Sequence, residues 1–486
     1  MPFVYGRWVS GARCLAWCGA LMLSACAHSP SVKVPTPAIP VAFKEATAPT
    51  GTLPPGWKLA QQGDASDQGT WWRVFRDPQL DALEEQAARA NPGLGIAASR
   101  VEAARAALQG AKAQRWPVVS LDARGGRARG SGLSAMQPAD ENTPSSSAWS
   151  LGLGARYEVD LFGRVGSSID LADAQAQGAQ ASYASMLLIL QSDVAQTYIA
   201  LRTVDAEVVL LEATIKLRQE NVRLVGKRFA AGDVMEMDVA RSQTELALVE
   251  AEVEALRGER SRMEHALALL LGVSPSEFVL KPSPLSQDTP VPAIPAGLPS
   301  TLLERRPDVA VAQLRLKAAA AQVGVARAAL FPELALTAEG GHSSSALERL
   351  FRWSNRAWLI SLVMSLPLID GGRNRAAVQS VEAALEGAVH AYRAAVLDAF
   401  AEVEDSLSSL KAVQGQALHI EKAALTAQRA SEMAGMRYRA GEDSYLQLID
   451  AQRDLLSIQR RAVKLRGQWS MATVGLVRSL GGGWTQ

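Results

Sequence analysis

Residues 149–161 read Trp-Ser-Leu-Gly-Leu-Gly-Ala-Arg-Tyr-Glu-Val-Asp-Leu. The odd positions Trp149, Leu151, Leu153, Ala155, Tyr157, Val159 and Leu161 are apolar, while Ser150, Gly152, Gly154, Arg156, Glu158 and Asp160 are polar or glycine. A period of two predicts an extended strand with one apolar and one polar face. Sustained over thirteen residues, it exceeds the usual five or six of globular sheets and meets the roughly 9 to 11 needed to cross a bilayer. A two-layer soluble sheet is the competing reading, and the export signal described below weighs against it.

The stretch does not stand alone. Trp358, Ile360, Leu362, Met364, Leu366 and Leu368 alternate in the same way, with Leu359 and Val363 blurring the other face. Shorter partners precede each: Val119, Leu121 and Ala123 before the first, Leu334, Leu336 and Ala338 before the second. Gly/Ser-rich connections such as Gly125–Ser147 join each pair. Four strands cannot close a barrel, because closure needs at least about eight and no open edge can face lipid. Several chains must therefore combine.

The duplication extends over the whole chain, as comparison of the sequence with itself shows. Pro92, Arg100, Ala103, Ala111, Pro117 and Leu121 recur 215 residues later as Pro307, Arg315, Ala318, Ala326, Pro332 and Leu336. Beyond a connection six residues longer in the first copy, the offset becomes 209: Trp149 matches Trp358, Gly163-Arg164 matches Gly372-Arg373, Gly232 matches Gly441, and Leu271-Gly272 matches Leu480-Gly481. The expected division is a signal peptide (1–25), a tether (26–75), a first repeat (76–272), a Pro-rich linker (273–300) and a second repeat (301–486). Each repeat should hold a helix, two strands (about 118–128 and 148–161; about 333–341 and 357–369) and a long helical hairpin (about 167–271; about 372–480).

The hairpins carry a seven-residue apolar repeat. Leu187, Val194, Leu201, Val208, Ile215, Val222 and Phe229 form one stripe, with Leu190, Val204, Leu211 and Val225 beside it; Val389, Val396, Val403 and Leu410, then Ala417, Ala424 and Ser431, continue the theme in the second half. Such a repeat specifies coiled-coil packing. Ser167 to Ala230 would span roughly 95 Å at 1.5 Å per residue, beyond any single globule. Gly232 and Gly441 are placed to close helices in left-handed caps.

The N-terminus reads as an export signal. Arg7 and Arg13 precede an apolar run from Cys14 to Leu23 that is too short to span a bilayer and ends in Leu23-Ser24-Ala25-Cys26. Cys14, Cys18 and Cys26 are all the cysteines, so cleavage before Cys26 leaves no pair for a disulfide or thiolate metal site. Lys+Arg 50 against Asp+Glu 49 gives a net charge of +1, which suggests no surface for nucleic acid. At 48% hydrophobic and 20% charged the chain is also too apolar for a disordered tail.

Together these features resemble the outer-membrane efflux protein family of TolC/OprM type, in its lipoprotein branch. The carrying motifs are Leu-Ser-Ala-Cys at 23–26, Trp71-Trp72 with Asp77-Pro78 and Leu80, and Asp160-Leu161-Phe162-Gly163-Arg164. The second half adds Glu304-Arg305-Arg306-Pro307-Asp308, Asp370-Gly371-Gly372-Arg373, Arg437-Tyr438-Arg439-Ala440-Gly441, Leu448-Ile449-Asp450-Ala451-Gln452-Arg453 and Leu480-Gly481-Gly482-Gly483-Trp484. The resemblance implies a mainly α chain in which three copies build a twelve-stranded transmembrane β-barrel and a helical α-barrel crossing the periplasm. It implies a passive exit duct of a tripartite pump, working with a periplasmic adaptor (membrane fusion) protein and an inner-membrane transporter, expected to be of the RND type. Drugs or other small molecules are the expected cargo, with a type I protein secretion duct as the alternative. Cys26 is expected to carry diacylglycerol and an N-acyl chain, with no other cofactor; Ala27 after it, rather than Asp, resembles lipoproteins sent to the outer membrane.

The resemblance also places a periplasmic gate at the hairpin tips, with Leu446 and Asp450 carried over and Asp238 in the corresponding first-half hairpin. Symmetry would gather copies of one carboxylate around an axis, where they repel each other and attract cations. Alternatively both acids simply complement the positive N-terminal ends of their helices. The strict repeat mate of Asp450 is Arg241, and that of Asp238 is Gln447. Gly232, Gly441, Arg437, Tyr438 and Arg439 are candidate tip, inter-helix or adaptor-contact residues. The residues point to no catalysis. His28, His265, His342, His390 and His419 are scattered, no metal-ligand or phosphate-loop spacing appears, and the basic Arg124–Arg129 run reads as loop charge at a strand end.

Overall fold

The structure is a computed structural model, and it describes residues 40, 42–45, 70–129, 145–285 and 305–482. Cys26, the signal, most of the tether, Glu304, Gly483 and Trp484 lie outside the described residues, as does the linker beyond residue 285. A 3-10 turn (Trp71–Phe75) leads into α1 (Pro78–Ala90) and α2 (Pro92–Ala113). Strands β1 (Val118–Ala128) and β2 (Ser146–Glu158) precede α3 (Arg164–Ala230) and α4 (Glu236–Leu270). The second half repeats the order with α5 (Pro307–Ala328), β3 (Glu333–Ser344), β4 (Arg356–Ser365), α6 (Arg373–Ala440) and α7 (Tyr445–Ser479). Two compact units result: one holds 101–178 and 312–392, the other 36–100, 179–311 and 393–486. Each unit draws on both halves of the chain.

The first unit contains the sheet. Its order is β1-β2-β3-β4, antiparallel throughout, and neither edge strand has a second partner among the described residues. Register confirms the duplication: Val118 pairs with Arg156 and Glu333 with Ser365, and these four positions are related by the offsets of 215 and 209 read from the sequence. On one face the pairings line up Val119, Ala155, Ala338 and Ile360, then Leu121, Leu153, Gly340 and Trp358. Leu121, Leu153, Trp358 and Ile360 are exposed, so this apolar face has no partner among the described residues. The other face carries Ser120, Asp122, Arg156 and Thr337. Gly125 is needed inside β1, because a Cβ there would come 2.3 Å from the ring of Trp149.

Strand ends differ from the sequence reading. β2 begins earlier and stops at Glu158 rather than 161. Val159 makes one last bond, N–H to the Leu334 carbonyl (2.8 Å), and Asp160 then turns to cap α3, accepting from the Val165 and Gly166 amides (3.1 and 2.7 Å). That cap also starts the helix at Arg164, three residues before the expected 167. β4 ends at Ser365 instead of 369, since Pro367 lacks the N–H a ladder requires. β3 runs three residues beyond the expected 341, to Ser344.

In the second unit, the heptad residues Val194, Leu201, Leu211, Val225, Val396 and Val403 are fully buried. Phe229 departs from its stripe and is 46% exposed at the helix end. The conserved pattern of the two halves extends to single hydrogen bonds. The Asn91 Nδ2 donates to the Leu270 carbonyl (2.9 Å); its mate Arg306 donates through Nη1 to the Ser479 carbonyl (2.8 Å). One uses an amide, the other a guanidinium, to satisfy the last turn of a helix whose carbonyls lack partners. Gly272 (φ +68) and Gly481 (φ +90) follow these helices, and a Cβ on Gly272 would lie 2.2 Å from the Ala90 carbonyl oxygen. Arg306 further binds Asp308 and Glu402 (2.5 and 2.6 Å), which accounts for the Arg-Pro-Asp motif.

Candidate functional site: the paired hairpin tips

Both hairpins turn through the same backbone device. Gly232 and Gly441 each adopt φ +79. Asp233 N–H reaches back to the Arg228 carbonyl (2.9 Å), as Glu442 N–H does to that of Arg437 (3.0 Å). These are paired Schellman caps, for which glycine in the left-handed region costs least. Ser444 then caps α7, and Glu236 and Asp238 supply negative charge to the first turn of α4.

The two tips are tied together. Val225, Tyr438, Tyr445, Leu448 and Ile449 form a buried cluster, with Val234 and Val239 packed against it. The Arg228 guanidinium donates to the carbonyls of Tyr438 and Arg439 (3.0 and 3.1 Å) and lies over the Tyr438 ring at 4.5 Å. The rings of Tyr438 and Tyr445 are 5.8 Å apart. Burial pushes the Tyr445 phenol up to about 12 and raises that of Tyr438, so both stay neutral. Tyr438 is thus an inter-helix tie, and its burial at 2% exposure removes its ring from direct contact with another protein. Arg437 is exposed and pairs with Asp443 (3.1 Å), while Arg439 bonds the Gly435 carbonyl of its own helix (3.0 Å).

The expected gate residues separate. Leu446 and Asp450, one turn apart on α7, both lie on its exposed face. Asp450 is 57% exposed and approaches Arg453 at 3.7 Å. Asp238 is only 16% exposed, near Arg241 at 4.0 Å. It sits in the first turn of its helix, whereas α7 has no acid there. Helix-end complementation therefore fits Asp238 and not Asp450.

Above the tips lies a polar network that the sequence reading missed. Arg218 occupies a core heptad position midway between Leu211 and Val225, and it is 1% exposed. Its Nη1 donates to Gln452 Oε1 (2.6 Å), which also accepts from Asn221 Nδ2 (3.0 Å). Arg453 pairs with Glu245 across from α4, and Arg460 binds Glu252 (2.8 Å). Desolvation lowers the Arg218 pKa, with Glu245 opposing. The available signal was the heptad stripe itself, in which a charged residue stands where valine or leucine is expected.

A four-stranded antiparallel sheet with an exposed apolar face, together with heptad-patterned helical hairpins in the same chain, defines the class as a membrane-inserting protein that assembles with further copies. The chain belongs to the outer membrane efflux protein family, whose model matches residues 83–273 and 298–482, one segment in each half. It is 33% identical to outer membrane protein OprJ of Pseudomonas aeruginosa, over 96% of this chain and 95% of that one. It is 34% identical to the toluene efflux pump outer membrane protein TtgI of Pseudomonas putida, over 96% and 97%. The solved outer-membrane channel OprN superposes with a TM-score of 0.86 at 29% identity, covering 94% of this chain and all of that one.

Proposed function

We propose that this protein is the outer-membrane exit duct of a tripartite efflux pump, a passive conduit for drugs or other small molecules that receives cargo from an inner-membrane transporter of RND type through a periplasmic adaptor. The open-edged sheet carries the reading. Lipid offers no partners to the free N–H and C=O groups of β1 and β4, so the strand edges must be met by other copies. Three chains of four strands would give a closed twelve-stranded barrel, above the minimum of about eight. Exposed Leu418 and Leu425, seven residues apart on α6, supply a further apolar stripe for a neighbouring copy. Cys26 would carry the acyl chains that hold the N-terminus at the membrane. The tips form the periplasmic mouth, with Leu446 and Asp450 at its constriction and Gly232, Gly441, Arg437 and Arg439 offered to the adaptor.

Electron microscopy of the purified protein should show a threefold ring, and planar bilayers containing it should conduct. A monodisperse monomer, or a trimer that stays silent even after opening substitutions, would replace the duct with an envelope scaffold. Restored dye efflux in a strain lacking its own duct would separate small-molecule cargo from polypeptide export.

A further inference from the structure

The loop-bearing end of the sheet carries charge on its apolar face. The pairings set Ala123, Leu151, His342 and Arg356 in one row across that face. Toward the other end the face is apolar or glycine, through Leu121, Leu153 and Trp358 to Leu336, Leu362 and Met364. Toward the loops, Arg127 stands on it two rows beyond Ala123. The β3–β4 connection folds onto this margin. Leu350 is buried, and the Phe351 ring meets that of His342 edge-on at 5.7 Å. Arg356 donates through Nε to the Trp353 carbonyl (3.1 Å) and stacks on its ring.

Phe351 and Trp353 are 69% and 77% exposed. Arg352 and Arg356 are also exposed, and Arg127 donates to the Ser145 hydroxyl (2.9 Å). None of these three arginines forms an ion pair among the described residues. The far end contrasts: Phe162 stacks on Phe331 at 4.9 Å, Arg164 is paired with Glu158, and Arg156 meets Glu333 at 3.5 Å on the opposite face. One margin is aromatic and charge-compensated; the other is aromatic with guanidinium groups that form no ion pair among the described residues.

Eight residues separate Met364 from Arg356. At 3.3 Å per residue and a tilt near 40° they span about 20 Å of membrane height, comparable to an apolar band of about 25 Å. Arg356 therefore lies where a bilayer changes from acyl chain to head group, and Arg127, on the opposite edge strand and two rows further, lies about 10 Å beyond it. Guanidinium forks suit phosphate oxygens, and aromatic rings suit the interface.

We propose that Arg127, Arg352 and Arg356, with Phe351 and Trp353, form a seat for the phosphates of a phosphorylated glycolipid of the lipid A type. The apolar face below would receive its acyl chains. The proposal rests on the outer-membrane reading and assigns the loop-bearing end to the outer leaflet. A free anion would use the arginines without the face beneath them, so acyl dependence marks the lipid.

The test titrates the full-length assembly in detergent with bisphosphorylated lipid A, with the same lipid stripped of both phosphates, and with inorganic phosphate, read by native mass spectrometry. The bisphosphorylated lipid should bind at least tenfold more tightly than the stripped one, and the triple variant Arg127→Gln, Arg352→Gln, Arg356→Gln should lose that preference. Equal binding of both lipids to the unmodified protein overturns the seat whatever the variant's fate. So does competition by inorganic phosphate alone, or a triple variant that keeps the preference. Conductance in planar bilayers is recorded in parallel: silence that persists after opening substitutions would count against the duct and leave the lipid result intact.

Discussion

Glu84 should make stability depend on pH through a single carboxyl group. It lies on the inner side of α1 with Leu80, Leu83 and Ala87, at 0% exposure, and neither carboxyl oxygen has a hydrogen-bond partner among the described residues. Burial, with Asp81 adding repulsion, pushes its pKa from 4.5 up to about 9. A carboxyl held higher in the folded than in the unfolded chain takes up a proton on folding between those two values. Its contribution is thus intact below about 4.5 and declines as pH rises toward about 9. At pH 7 the unfolded group is about 2.5 units above its pKa, and at 1.36 kcal/mol per unit the penalty is about 3.4 kcal/mol. Glu84→Gln removes the titration while keeping the shape. Thermal unfolding scans at a fixed rate should show the variant more stable by about 3 kcal/mol at pH 7, with the difference shrinking to a constant near pH 4.5. An unpaired amide in the variant would add an offset without changing the slope. Parallel profiles of the two proteins from pH 5 to 8.5 would refute the reasoning, because they would require an ionised carboxylate in a site that offers it no partner.

Asp450→Ala should raise the leak conductance of the assembly in planar bilayers and weaken its cation preference; unchanged values would remove Asp450 from the constriction. Gly272→Ala places a Cβ against the Ala90 carbonyl at a positive φ, so where a strain-free exchange would stabilise, this one should destabilise by more than ~1 kcal/mol, measurable as a lowered melting temperature. Arg306→Ala should cost more than its repeat counterpart Asn91→Ala, about 2 kcal/mol against about 1, since it also removes charge-assisted bonds to the half-exposed Asp308 and Glu402; equal costs in chemical denaturation would contradict the ion-pair account. Cys26→Ala should abolish the mass increment of the acyl chains on the mature protein.

Much of this architecture was readable because its periods are simple. Alternation in β2 and β4 places their apolar faces without knowledge of any contact, and two offsets predict a register that the pairings match. Boundaries were not readable where one side chain or ring decides them: Asp160 leaves the strand to cap α3, and Pro367 ends β4 while Leu366 and Leu368 continue the apolar pattern. The tip caps were legible from Gly232 and Gly441, because the left-handed region singles out glycine. The ties between the tips were not. That Arg228 spans to the carbonyls of Tyr438 and Arg439 depends on residues about 210 apart, for which no local period exists.

The two hairpins use the same short motif at different heights, and the difference bears on which carboxylate can act at the mouth. Asp238 and Arg241 on α4, like Asp450 and Arg453 on α7, are acid and arginine three residues apart. Strict repetition would put the second pair at 447 and 450, so it is displaced three residues toward the C-terminal end, nearly one helical turn. In α4 the acid therefore falls in the first turn, where unpaired backbone N–H groups attract it and burial restrains it. In α7 the displacement carries the acid beyond that influence, and Ser444 supplies the cap instead. Arg453 is at the same time drawn to Glu245, which leaves Asp450 the more exposed of the two acids and the less committed to its own helix. A group already engaged by a helix end has little free energy left to offer passing ions. The shift of nearly one turn thus separates a helix-end acid from an exposed one, which is why the constriction proposed above is drawn on the second hairpin rather than the first.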